Sequence, residues 1–163
     1  MRLITTASLV GALGLLAAPA MAATAVNVSI SPELQAMAEK TYGVRDINEL
    51  AADLQKSVER QLARTGAYDG ATLDLVLVDA VPNRPTFKQL GATLGLSMQS
   101  FGVGGAEITG RAVTSDGKVT PLGYSFYEPD IRQEWGRTTW SDAQWTFDRF
   151  AYALVRGKAL AAR

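Results

Sequence analysis

The sequence predicts an α/β domain of the α+β type. It should hold a single antiparallel or mixed sheet of about four strands with helices packed on one face, in the order strand, helices, strand, strand, strand, helix. Three observations carry that expectation. Apolar and polar residues alternate, with many β-branched side chains, in Thr24–Ile30 ("TAVNVSI") and Thr72–Ala80 ("TLDLVLVDA"). An Asp-Gly pair within Ser115–Lys118 separates two further alternating runs, which is the strongest short-range hairpin signal. Two segments repeat apolar residues at helical spacing on one face only, one after the first strand and one near the end of the chain. A sheet with one apolar face and helices with one apolar stripe bury each other.

Residues 1–22 read as a secretory signal peptide outside this domain. Arg2 gives a positive start, Leu9–Ala18 is apolar, Pro19 breaks the run, and Ala20-Met21-Ala22 offers a small-x-small cleavage pattern. A retained membrane anchor is the competing reading, but the apolar run is short against the roughly 20 residues a span requires. No cysteine follows the run, which argues against lipid anchoring there. Residues 23–163 are then expected to form a single domain, exported to the periplasm or secreted, with no transmembrane segment after cleavage.

Within the domain, the strand Thr24–Ile30 is followed by Ser31, Pro32 and Glu33, a cap, a first-turn proline and an acid suited to the positive helix end. A short helix over Pro32–Thr41 should bury Leu34, Met37 and Ala38 and stop at Gly43. Asp46 with Glu49 resembles a capping box, and Ile47, Leu50, Ala51, Leu54, Val58 and Leu62 then predict a helix over Ile47–Arg64, closed by Gly66. In Thr72–Ala80 the leucines at 73, 75 and 77 should face that helix, while Thr72, Asp74, Val76 and Val78 face the other way. Asp74 and Asp79, an odd number apart, should lie on opposite faces. The connection 81–105 carries Pro82, Asn83, Pro85, Gly91 and Gly95, which argue against regular structure and mark the place for a functional loop. Ala106–Thr114 and Val119–Tyr127 form the hairpin, and 128–138 reads as polar and irregular. A final helix begins near Ser141, where Ser141 and Gln144 resemble a second capping box. Its apolar stripe is Phe147, Phe150, Ala151 and Leu154, and "GKALAAR" should fray.

Composition closes several chemistries. The chain has no cysteine and no histidine, which excludes thiolate nucleophiles, Ser-His-Asp triads and histidine or thiolate metal sites. An enzyme would have to use carboxylates, a lysine or serine–lysine nucleophile, or an oxygen-ligated metal. Without Arg2 the mature chain carries a net charge of −1, and no basic stripe points to nucleic acid and no polybasic run to a lipid surface.

The candidate motifs are few. "FGVGGAEITG" at 101–110 begins like a phosphate loop, but position 107 is Glu, and a strand rather than a helix follows. A bulge or sharp bend into the hairpin is the better reading. Glu128, Asp130 and Glu134 have tolerable spacing for calcium but lack the glycine and repeated acids of a calcium loop, so a solvated loop is favoured. Lys56 and Ser57 are adjacent on a helix and do not face each other, and Lys88 has no obvious partner. No catalytic, cofactor-binding or metal-binding residue is assigned. Two regions remain. Trp145, Arg149, Tyr152 and Arg156 form a second face of the last helix, which either covers the sheet edge or serves as a partner surface. Asp79, Asn83, Arg84, Phe87 and Phe101 mark a loop or ligand region, in which Asp79 most simply hydrogen-bonds the loop's backbone.

The stretches "LDLVLVDAVPNRP", "GGAEITGRAVTSDGKV" and "DAQWTFDRFAYALVRG" resemble small, uncharacterised bacterial envelope proteins over most of residues 46–158. The shared features are a glycine-rich approach to a "GA" strand, a D-G hairpin and a closing helix. The resemblance implies a periplasmic, non-enzymatic role and transfers no catalytic residue. The expected function is an exported binding or assembly-accessory protein for an unknown envelope protein or small ligand. The alternatives are a carboxylate-based envelope hydrolase, disfavoured by the lack of a close carboxylate pair, and a carrier of a hydrophobic ligand.

Overall fold

A computed structural model describes residues 24–159, so the signal-peptide reading of 1–22 and the last four residues lie outside the described residues. Strands β1 (Ala25–Ile30), β2 (Thr72–Val81), β3 (Gly105–Val113) and β4 (Val119–Tyr127) form one sheet in the order β1-β2-β3-β4. β1 runs parallel to β2, and the other pairs are antiparallel. The sheet is therefore mixed, and the element order is the one the sequence predicts.

Four helices complete the domain: α1 (Pro32–Met37), α2 (Val44–Thr65), α3 (Phe87–Ala92) and α4 (Ser141–Val155). α2 packs over β1 and α4 over β3 and β4, with the two helices against each other. The core lies between them and the sheet. β2 contributes Leu73, Leu75 and Leu77, α2 contributes Ile47, Leu50, Leu54 and Val58, and α4 contributes Phe147, Phe150 and Leu154, all buried. Burying each such side chain stabilises the fold by about 1.5–3 kcal/mol before entropy is counted.

Several local expectations are corrected. α2 starts at Val44, after Gly43, and Asp46 sits in its first turn without capping it. α1 widens into a π-turn over Ala38–Tyr42, closed by the Gly43 amide on the Ala38 carbonyl at 2.8 Å. Leu34 and Ala38 are buried, whereas Met37 is exposed. The Ser31 hydroxyl does cap α1, accepting from the Leu34 amide at 3.1 Å and donating to the Val78 carbonyl at 2.8 Å. The connection after β2 is not wholly irregular, because Thr86 and Gln89 form a reciprocal capping box that starts α3. Ser141 does not cap α4; its hydroxyl accepts from the Thr138 amide at 2.8 Å instead. The chain after α4 is docked as far as it is described. Ala159 is buried, and its carbonyl accepts from the Gly123 amide at 3.2 Å on the outer edge of β4.

The register of β2 slips between Leu77 and Asp79. Val78 is the extra residue, so the inward series runs Leu73, Leu75, Leu77, Ala80. Asp74 pairs with Arg111 and Asp79 with Glu107, an even separation on β3. The two aspartates therefore share the outer face after all, about 13 Å apart at strand rise, too far to act together.

Replacing Phe147 by alanine is expected to cost about 3–5 kcal/mol, because a ring with no solvent exposure leaves a cavity under β3. Equilibrium urea unfolding measures it, and a loss below about 1 kcal/mol would show that α4 does not seal this core.

Candidate functional site

Because Val81, Gly105 and Tyr127 are in register, the connection after β2 and the loop after β4 leave from one end of the sheet. Asn83 ties them together. Its backbone amide donates to the Thr139 carbonyl at 2.7 Å, and its carbonyl accepts from the Gly102 amide at 2.8 Å. Its side-chain oxygen accepts from the Asp142 amide at 2.9 Å, and its side-chain nitrogen donates to Asp142 Oδ2 at 2.6 Å and to the Glu134 carboxyl. The Gly104 amide donates to the same Asp142 oxygen at 3.1 Å.

Asn83, Glu134 and Asp142 are all buried. Burial pushes the Glu134 carboxyl above its ordinary range, and the Asp142 carboxylate beside it pushes further, against the pull of Asn83 and Arg137. Glu134 is thus not part of a solvated acidic loop. Asp130, by contrast, is paired with Arg132 at 2.7 Å near the surface. A close carboxyl pair does exist in this chain, but it is sealed from solvent and cannot meet a substrate as it stands.

The same cluster explains one glycine of "FGVGG". A Cβ on Gly104 would lie 2.8 Å from Asn83 Oδ1 and 2.8 Å from the Val81 carbonyl, so the residue is small because the clamp leaves no room. Its amide does bind an anion, but that anion is the protein's own carboxylate.

Beside the clamp lies an open groove of about 530 Å³ between α2, the start of α3 and Trp140. Tyr42 meets Trp140 edge-on at 5.7 Å between ring centroids, and Trp140 Nε1 donates to Asp46 Oδ2 at 3.4 Å. Phe87 and Met98 line it as well. Arg45 and Glu49 on the α2 wall are paired with each other at 2.8 Å.

The residues the sequence grouped as a loop or ligand region fall into separate places. Asn83 is the clamp and Phe87 lines the groove. Arg84 donates to the Met98 carbonyl at 3.2 Å and to the Arg137 carbonyl, with its guanidinium 5.7 Å from the Phe101 ring centre. Asp79 sits on the outer sheet face, where it accepts from the Tyr127 hydroxyl at 2.6 Å rather than from the loop's backbone. Burial, and then Asp79, push that phenol well above its usual range. On α4, Arg149 lies 4.2 Å from the Phe126 ring centre and 4.8 Å from that of Trp145, and Arg156 lies 4.1 Å from Tyr152. Trp145 and Tyr152 remain exposed.

The sequence pattern did not single out Tyr42, Trp140 or Asp142 for this site, and it placed Glu134 in a solvated loop. Asp142 at the start of a helix carried a signal, since an acid is favoured there. Glu134 carried none, because nothing local marks an acid in a polar loop as buried.

The fold and groove define an α+β domain with a candidate binding site at one end of the sheet. No protein-family model matches the chain, and no curated protein matches it. Among solved structures it is similar to a minor lipoprotein from Acinetobacter baumannii at 12% identity and a TM-score of 0.36, covering 82% of this chain and 91% of that one. A likeness that slight supports no functional inference.

Two outcomes follow from the clamp. Asn83→Ala is expected to lower stability by about 3–5 kcal/mol, because it leaves two buried carboxyls without their shared donor. Chemical denaturation measures it, and a near-neutral result would remove the clamp from its structural role. For Glu134 the folded-state pKa is raised, so its stabilising contribution is present at acid pH and is lost as pH rises through that folded value. The stability of Glu134→Gln relative to wild type should therefore increase as pH rises above the ordinary glutamate value of about 4.3. A pH-independent difference would show that Glu134 does not titrate in this way.

Proposed function

We propose that this chain is a non-enzymatic binding protein of the cell envelope, and that the groove between α2, α3 and Trp140 receives its occupant. The groove itself is the observation that carries the reading. Its volume of about 530 Å³ falls in the range of small-ligand sites, roughly 300–1,000 Å³. Its walls combine the rings of Tyr42, Phe87 and Trp140 with the Met98 thioether and polar groups of α2. That chemistry suits an apolar or aromatic group with a polar end, on a small molecule or on a segment of an envelope protein. The envelope location rests on the pattern of residues 1–22. The non-enzymatic reading is supported by the lack of histidine and cysteine and by the burial of the close carboxyl pair Glu134 and Asp142.

Phe87 is 82% exposed, so Phe87→Asp should leave the fold intact while removing one wall of the groove. Native mass spectrometry of the protein recovered from cells, with capture of envelope proteins in parallel, should show an occupant or partner that Phe87→Asp weakens about tenfold or more. An empty groove together with a capture profile unchanged by the substitution would reject the reading.

A further inference from the structure

We propose that the end of the domain carrying residues 87–103 rests on an anionic lipid surface, with Leu94, Leu96 and Met98 entering the interface and Arg84 and Lys88 among the headgroups. This goes beyond the groove and does not depend on its having an occupant.

Single exposed apolar residues are ordinary, but their concentration here is not. Of the 14 large hydrophobic residues exposed among the described residues, eight lie in the connection after β2 or the loop after β4. Both segments leave the same end of the sheet. Leu94 is fully exposed, Met98 is 54% exposed, and Trp135 in the neighbouring loop is 84% exposed.

The charge on the connection itself has one sign. Between Asp79 and Glu107 the chain has no carboxylate, while Arg84 and Lys88 are both cationic. Lys88 meets the Glu39 main-chain carbonyl, and Arg84 meets the carbonyls of Met98 and Arg137. Neither forms an ion pair with an acid, so both keep an uncompensated positive charge. In the loop after β4, Asp130 pairs with Arg132 and Glu134 is buried, which leaves Glu128 and Arg137 as its remaining charges.

A bilayer fits these features better than a protein partner. Leu94, Leu96 and Met98 alternate with Thr93, Ser97 and Gln99, and the backbone around them is bonded within short turns, apart from the Met98 carbonyl, which accepts from Arg84. Those polar groups need water or headgroups close by, which an interface supplies and a dry protein contact would have to match one by one. The exposed Trp135 in the neighbouring loop suits the headgroup region, where one edge of the ring is wet. The attachment is carried by apolar tips with two cations, so it requires no polybasic run.

The cysteine-free chain makes a direct test simple. Leu94→Cys in the full chain is labelled with an environment-sensitive fluorophore, and Asp116→Cys at the hairpin turn on the opposite end of β3 provides a second label. Any attachment through the N-terminal residues is common to both. On vesicles of phosphatidylethanolamine with phosphatidylglycerol, the label at 94 should shift to the blue and be quenched by chain-labelled lipids, and the label at 116 should do neither. On phosphatidylcholine vesicles the effect at 94 should largely disappear, and Lys88→Gln should weaken it about fivefold on the anionic ones. A label at 94 that stays aqueous on anionic vesicles overturns the proposal. So does a shift that needs only a higher concentration of the chain itself, or only an added envelope protein, since either assigns this end to a protein contact. An empty groove with the label at 94 in lipid would reject the ligand reading and keep this one.

Discussion

The side-chain amide of Asn83 places both its hydrogens on buried carboxyls and its oxygen on the amide that begins α4. Few contacts could join so many distant pieces of chain. The residues meeting there come from the end of β2, the approach to β3, the loop after β4 and the first turn of α4. Burying two acids together is costly, and burial and the neighbouring Asp142 accordingly raise the affinity of Glu134 for its proton. Once assembled, such a cluster is far more expensive to break than its net contribution suggests, because each orphaned group stays in the dry interior. The groove and the apolar connection owe their positions to it.

The two faces of the sheet follow different rules. The inner face is a hydrocarbon layer closed by α2 and α4. The outer face is a polar ladder, in which Asn27 and Arg111 both bond Asp74, the amide at 3.0 Å and the guanidinium at 3.1 Å. Asn27, and then Arg111, hold the Asp74 carboxyl below the ordinary carboxylate range. Arginine is used differently on α4, where Arg149 spreads over Phe126 and Trp145 and so shields the flank of β4 from water.

Periodicity made the fold legible. The leucines of β2, the stripe of α2 and the D-G hairpin each announce themselves within a dozen residues, and one-sided burial then leaves little choice of architecture. What escaped was set by single residues acting at long range. The extra residue at Val78 reverses the parity of everything after it, so Asp79 changes face without any change in composition. Asp46 and Ser141 look like caps in the sequence because the pattern is right; in the fold one accepts from Trp140 and the other from Thr138. Asn83 looked like a turn residue between prolines. Its role depends on acids 51 and 59 positions away, a distance no local pattern can register.

α4 holds the last large apolar side chains of the core, and that fixes when the domain can exist. Until residues 141–155 dock, the β3–β4 half of the sheet has no cover and Asn83 has no Asp142 to receive it. The chain must then wait as an open, incompletely paired sheet, the kind of species that chaperones recognise. Closing the core therefore waits on one helix, whose docking supplies both the cover over β3 and β4 and the acid that receives Asn83.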